Sequence, residues 1–221
     1  MAGKPRFDIA IPIYPGVDLL DVAAPWEIFN WMKSAWQERA VSTRLVAMTR
    51  SAVTTRDGLK LTPDTTFNEV RRRKVQFQLL WVPGGSVPEL RRMMASPRYL
   101  EFLRDQSAEA EWVTSVCEGA MILAASGLLD GYKATTHWAF LPCFEAFPEV
   151  KVAAGYPRFV VDRNRVTGGG ISSGLDEALK LVELIAGREI AEQVQVTTQY
   201  FPKPPVKGEI PGADTCPLTE S

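Results

Sequence analysis

Cys117 has the neighbours that a nucleophile needs. It follows Trp112-Val113-Thr114-Ser115-Val116, whose β-branched and aromatic side chains read as a strand. It precedes Gly119-Ala120-Met121-Ile122-Leu123-Ala124-Ala125, which reads as a buried helix with Gly127 as its C-terminal cap. A thiol at that seam faces the unpaired N–H groups of the first helical turn, and these favour the thiolate. The plainer role of the same residue is a small buried hydrophobe, and the rest of the chain has to decide between the two.

Other residues add to the chemistry. Asp21 lies in the apolar stretch Leu19-Leu20-Asp21-Val22-Ala23-Ala24. It reads either as the N-cap of the following helix or as a carboxyl beside the thiol, raised in pKa by burial and negative neighbours. His137 is the single histidine, so any Cys–His chemistry must use it; a lone histidine is equally an ordinary polar residue. Gly84-Gly85 reads as backbone donors for a developing negative charge, or as a turn with positive φ. Gly168-Gly169-Gly170 admits close approach of backbone to a ligand or makes an ordinary turn, and no GxGxxG pattern opens a helix there.

These residues need elements to hold them. Residues 7–14 are nearly continuous apolar sequence ending at Pro15-Gly16, as in a strand buried on both faces. Pro25 suits the first position of a helix running on through Met32. Residues 42–48 and 77–82 read as further strands, 134–137 as a short one, and 53–61 and 159–167 as hairpins. Helical spacing marks 90–94, 99–103, 175–185 and 190–198, with Leu175, Ala178, Leu179, Val182 and Ile185 as the stripe of the third. Strands alternating with helices predict an α/β fold with a doubly wound, mainly parallel sheet sandwiched by helices. In such sheets ligands bind beyond the carboxyl ends of the strands, where Asp21, Gly84-Gly85, Cys117 and the triple glycine all fall. One domain is expected over residues 1–200, then a proline-rich tail, 201–221, held against the surface or loose.

The 221 residues are 46% hydrophobic and 23% charged, with a net charge of −1. That balance suits a globular domain with a sizeable core and lacks the basic surplus of a nucleic-acid or anionic-membrane binder. Arg71-Arg72-Arg73-Lys74 reads as a solvated basic face. Cys117, Cys143 and Cys216 are odd in number and irregular in spacing. No disulfide framework or zinc pattern is therefore expected, and a reducing compartment, the cytoplasm, is the natural setting. The first apolar segment is interrupted by Asp8, Pro12 and Pro15, so it reads as neither signal peptide nor membrane span. No metal or organic cofactor is required. No helix-turn-helix or basic module follows residue 200, which disfavours a regulator's ligand-binding domain.

Six segments in order resemble one family. They are Pro15-Gly16-Val17-Asp18-Leu19-Leu20-Asp21, Pro83-Gly84-Gly85, Val116-Cys117-Glu118-Gly119-Ala120, Gly127-Leu128-Leu129-Asp130-Gly131, Ala134-Thr135-Thr136-His137-Trp138 and Thr167-Gly168-Gly169-Gly170-Ile171. The set is similar to the ThiJ/PfpI branch of the class-I glutamine-amidotransferase-like superfamily, and within it to the isonitrile (isocyanide) hydratases. The likeness extends into Tyr200-Phe201-Pro202-Lys203-Pro204-Pro205. It implies a flavodoxin-like sandwich, a homodimer and a small-molecule substrate. By position it makes Cys117 the nucleophile on a strained elbow, Asp21 its acidic partner and Gly85 a backbone donor. His137 corresponds to a histidine near the thiol without a settled role. Gly84, Gly169 and Gly170 are the remaining expected oxyanion- or substrate-binding positions.

Glu118 departs from the pattern. Proteolytic relatives put His directly after the nucleophile, so that dyad is absent here, and isonitrile hydratases usually carry Thr. Cys117, Asp21 and Glu118 crowded together would not all ionise, and Asp21 is expected to keep a proton. The expected reaction hydrates an isonitrile to an N-substituted formamide. Asp21 or the thiol protonates the isonitrile carbon, Cys117 attacks to give a thioimidate, and water placed by Glu118 releases the product. The alternatives are an amidase or glyoxalase-type chemistry on the same elbow, or a redox sensor in which Asp21 or Glu118 stabilises a Cys117 sulfinate.

Overall fold

The computed structural model describes residues 4–219. In chain order the first elements are β1 (Arg6–Pro12), α1 (Leu19–Ala35), β2 (Ala40–Ala47), β3 (Val53–Thr54), β4 (Lys60–Leu61), β5 (Thr65–Thr66) and α2 (Phe67–Arg73). Then come β6 (Leu79–Val82), α3 (Val87–Met94), α4 (Pro97–Ser107), β7 (Trp112–Ser115) and α5 (Gly119–Ala125). The last part holds β8 (Lys133–Ala134), a 3-10 segment (Trp138–Ala146), β9 (Lys151–Val152), β10 (Phe159–Asp162), β11 (Arg165–Gly168), α6 (Ser173–Ala186) and α7 (Arg188–Thr197).

One sheet runs in the order β10-β11-β7-β6-β1-β2-β5. Its neighbours are parallel except for the β10–β11 hairpin. All of β6 is buried, and in β1 only Arg6 is exposed, as in a sheet covered by helices on both faces. This is the expected flavodoxin-like α/β fold. From β1 the chain moves outward to β2 and β5, then returns to β6 on the other side of β1. Strand order reverses between β1 and β6, and a crevice opens at their carboxyl ends.

Pro25 does not start the first helix; α1 begins at Leu19 and carries Pro25 inside it. Having no N–H, Pro25 cannot bond the carbonyl of Asp21 one turn earlier. The indole Nε1 of Trp81 on β6 donates to that carbonyl instead, at 2.9 Å, which lets the helix pass through the proline. Asp18, not Asp21, occupies the N-cap position. The capping role for Asp21 is thereby removed.

The strand expected at 134–137 shrinks to β8. Beyond it Thr135 donates its N–H to Thr167 Oγ1 at 2.9 Å, and Thr136 Oγ1 donates to the Cys117 carbonyl at 2.8 Å. These bonds replace a ladder and tie the segment to the end of β7. In α6 the buried stripe is Gly174, Glu177, Ala178, Leu181 and Val182, so a carboxylic acid stands where only apolar residues were expected.

Cys143 and Cys216 form a disulfide, contrary to the expectation from cysteine number and spacing. Their 73-residue separation is closed by the tail folding back onto the 3-10 segment. The tail is held, since Arg91 also donates to the carbonyls of Pro217 and Leu218. Among the described residues no helix is long and apolar enough to cross a membrane.

Candidate active site

Between β7 and α5 the chain has three residues, Val116, Cys117 and Glu118, in which to reverse direction. Cys117 absorbs the turn with φ +54°, a left-handed conformation that costs a non-glycine residue on the order of 1–3 kcal/mol. The surroundings hold it there. Val116 N–H donates to Val82 O at 3.1 Å, Cys117 N–H to Gly169 O at 2.9 Å, and Gly119 N–H to Val116 O at 3.0 Å. Gly119 is required, because a Cβ there would lie 2.0 Å from Val82 O. The thiol thus sits, fully buried, on a strained elbow held by these backbone bonds.

Two carboxyls meet it. Asp21 is fully buried; its Oδ2 accepts the Gly84 N–H at 2.9 Å, while Oδ1 has no partner. Glu118 lies against the Cys117 thiol, a carboxyl oxygen within 4.8 Å of the sulfur, and its Oε2 is buried without a partner. Gly84 makes room for this packing, since a Cβ would fall 2.3 Å from Glu118 Oε2 and 2.9 Å from Cys117 Cβ. With Asp18, the sulfur and one oxygen of each carboxyl lie within 4.8 Å of one another.

Electrostatics follow from the crowding. Burial, then Asp21 and Glu118, push the Cys117 thiol well above its ordinary value. This reverses the sequence expectation: the negative neighbours and lost hydration outweigh the start of a seven-residue helix. Burial, then the Glu118 charge, push Asp21 well up, against the opposing Gly84 N–H bond. Burial also raises Glu118, while its bond to the thiol works the other way. The cluster therefore favours the neutral forms of its members and shares protons among them.

Sequence reasoning missed three members. Asp18 Oδ1 pairs with Arg56 Nε at 3.0 Å. Arg56 arrives because the β3–β4 hairpin folds over the first loop, with Gly16 N–H donating to Thr54 O and Arg56 N–H to Val17 O. The spacing of Asp18 three residues before Asp21 was a usable signal; nothing marked Arg56. The third is Glu177, fully buried with neither carboxyl oxygen partnered, pushed up by burial and then by Asp21. Asp18, Asp21, Cys117 and Glu118 are also the set close enough to hold a metal ion among the described residues; Arg56 already gives Asp18 a cation.

The other expected positions are placed differently. A cleft of about 510 Å3 adjoins the elbow, lined by His137, Gly169 and Gly170 together with Leu20, Trp138 and Ile171. Thr136 and Gly169 also line it, and these residues bond the Cys117 backbone. His137 is half-buried; its Nδ1 accepts the Ala139 N–H at 3.3 Å, which leaves the neutral ring's proton on Nε2. Burial lowers its pKa. Gly170 lets the ring in, a Cβ there falling 2.6 Å from His137 Cδ2. Gly84 aims its N–H at Asp21 and so positions the acid, and Gly85 forms an antiparallel bridge with Val17.

Fold and site together define an α/β protein with a cysteine on a strained strand–helix elbow beside buried carboxyls. The chain belongs to the DJ-1/PfpI family, whose model matches residues 8–184. Isonitrile hydratase of Pseudomonas putida is 37% identical over 212 residues, spanning 95% of this chain and 84% of that protein. The HTH-type transcriptional regulator GbdR of Pseudomonas aeruginosa is 33% identical over 139 residues, 62% of this chain and 35% of the regulator. A solved THiJ/PfpI family protein from Pseudomonas syringae superposes with a TM-score of 0.81 at 33% identity, over 92% of this chain and 78% of that one.

Proposed function

We propose that the chain is a cysteine-dependent hydro-lyase of the isonitrile hydratase type, converting an isonitrile and water into an N-substituted formamide. The observation that carries this is the Cys117 sulfur within 4.8 Å of one carboxyl oxygen each of Asp21 and Glu118, in a cluster where Asp21 Oδ1 and Glu118 Oε2 have no partner. The similarity to the Pseudomonas putida enzyme over 95% of the chain supports it.

The terminal carbon of an isonitrile takes both a proton and a nucleophile, and the cluster supplies both. Asp21, held protonated by burial and by Glu118, gives its proton to that carbon. The Cys117 sulfur bonds to the same carbon, and the thiol proton passes to the carboxyls, leaving a thioimidate, Cys–S–CH=N–R. Water adds to this carbon while Glu118 takes one of its protons. Glu118 passes that proton to the nitrogen, the C–S bond breaks as the hydroxyl's proton moves through Glu118 to the departing sulfur, and R–NH–CHO departs with the thiol restored. The atoms sum to isonitrile plus water.

The reading includes a homodimer in the cytoplasm. Leu20 and Trp31 on α1, 40% and 39% exposed, support self-association, and light scattering measures it. The Cys143–Cys216 bond is the observation that weighs against a strongly reducing compartment.

Incubation with an alkyl isonitrile and assay for formamide tests the activity. Turnover is expected from the wild type, with loss in Cys117→Ala; no wild-type turnover, or undiminished turnover in the variant, removes the proposal. The redox-sensor reading has one observation in its favour, the unpartnered Glu118 Oε2 beside the sulfur, which when protonated donates to a sulfinate. Peroxide oxidation at Cys117 without turnover of isonitriles, amides or glyoxals would select it.

A further inference from the structure

One wall of the cleft comes from a part of the chain that the chemistry does not use. Ile210, in the tail, lines the cleft with Leu20, Trp138, Tyr156 and Ile171. Residues 201–211 are exposed and have no helix or strand to hold them. What holds this segment lies just beyond it. Cys216 is bonded to Cys143, and Arg91 donates to the carbonyls of Pro217 and Leu218. Gly212, with φ +81°, turns the chain beside Tyr156, where a Cβ would meet the hydroxyl at 3.2 Å.

Cys143 belongs to the 3-10 segment Trp138–Ala146, and that segment begins with the cleft residue Trp138. The disulfide therefore ties Ile210 to the element carrying another wall of the same cleft. A cross-link of this kind restricts the tail's conformations and sets the wall in place before substrate arrives.

We propose that Ile210, positioned by the tail segment that the Cys143–Cys216 disulfide latches, forms the outer wall of the substrate cleft. Ile210 is then the specificity-determining contact for an apolar substituent on the substrate. That the substituent is the N-substituent of an isonitrile rests on the hydratase reading; the wall itself does not. A small substituent stays at the Cys117 end, and a bulky one reaches Ile210.

Three preparations test this: wild type, Ile210→Ala, and wild type reduced with a water-soluble phosphine. Reduction delivers two electrons and two protons to the disulfide, giving two thiols and the phosphine oxide. The first readout needs no turnover. Cys117 is alkylated with iodoacetamide or its bulkier N-phenyl analogue, and peptide mass spectrometry gives the ratio of the two rates at that residue. The second readout is KM for methyl and cyclohexyl isonitrile.

In Ile210→Ala and in the reduced protein, the bulky-to-small labelling ratio is expected to fall at least about threefold, because the bulky reagent loses the same apolar contact. KM for the cyclohexyl substrate is expected to rise about tenfold with kcat and the methyl substrate nearly unchanged, the size set by losing a few buried methyl groups' contact. Unchanged labelling and unchanged KM ratios overturn the wall even where formamide is made, and the hydratase reading then stands alone. A shifted labelling ratio with no formamide from either isonitrile upholds the wall and overturns the hydratase reading. A shift in Ile210→Ala that reduction does not reproduce overturns the latch.

Discussion

Replacing Glu118 by Gln separates the charge of that side chain from its shape. In the wild type the Cys117 thiol is raised by burial, by Asp21 and by Glu118. An ionised Glu118 oxygen within 4.8 Å of the sulfur opposes the thiolate by about 3 kcal/mol at an effective dielectric near 20. Because Asp21 and Glu118 share protons, part of the removed charge reappears on Asp21, so the thiol pKa is expected to fall, by less than the full Glu118 charge alone would give. The Gln amide also offers the thiolate a donor. The assay is the pH dependence of Cys117 alkylation by iodoacetamide, checked by ultraviolet thiolate absorbance. Turnover should move the other way, falling on the order of a hundredfold if the proposed water activation by the Glu118 carboxylate holds. A thiol midpoint that stays in place or rises would refute the electrostatic reasoning.

Other perturbations probe the supports of the site. Unfolded chains ionise Glu177 near its ordinary value while the folded protein holds it neutral, so its contribution is intact below about pH 4 and declines as pH rises towards the raised folded value. Glu177→Gln should therefore raise Tm more at about pH 8 than at about pH 5, by ~2–4 °C for each kcal/mol relieved; equal changes at both pH values in calorimetry would contradict this. Trp81→Phe leaves the Asp21 carbonyl without its donor and should cost about 1–3 kcal/mol. Pro25→Ala restores a backbone N–H one turn on, so denaturant titrations should find the Trp81 change cheaper in that background. Gly84→Ala drives a methyl to 2.3 Å from Glu118 Oε2 and should lower kcat/KM at least about tenfold by displacing the carboxyl; wild-type kinetics in a folded Gly84→Ala protein would show that the close packing does not matter.

Features that depend on local pattern were legible in the sequence. The β7–Cys117–α5 seam, the two hairpins and the apolar β1 and β6 all follow from period, turn residues and run length. What was hidden depended on contacts between distant segments. Pro25 read as a helix start because its replacement donor, Trp81, lies on another strand. The Cys143–Cys216 pairing spans 73 residues, which no spacing rule reaches. Arg56 comes to Asp18 only through a folded-over hairpin. Glu177 did leave a trace: it sits three residues after Gly174 and four before Leu181, on the buried stripe of α6. For the site itself, the placement of Cys117 was visible but the direction of its pKa was not. A helix start and two buried carboxyls act oppositely on a thiol, and only their distances decide which dominates.

The bond between Cys117 and the substrate carbon is tested most directly by single-turnover trapping. Protein is mixed rapidly with an alkyl isonitrile in heavy-oxygen water, quenched in acid at short intervals, and its peptides and products are weighed. The expected result is a transient adduct on the Cys117 peptide with the mass of the whole isonitrile, decaying as formamide carrying solvent oxygen accumulates. Formamide released at the wild-type rate by Cys117→Ala, or an adduct on any other residue, would contradict it.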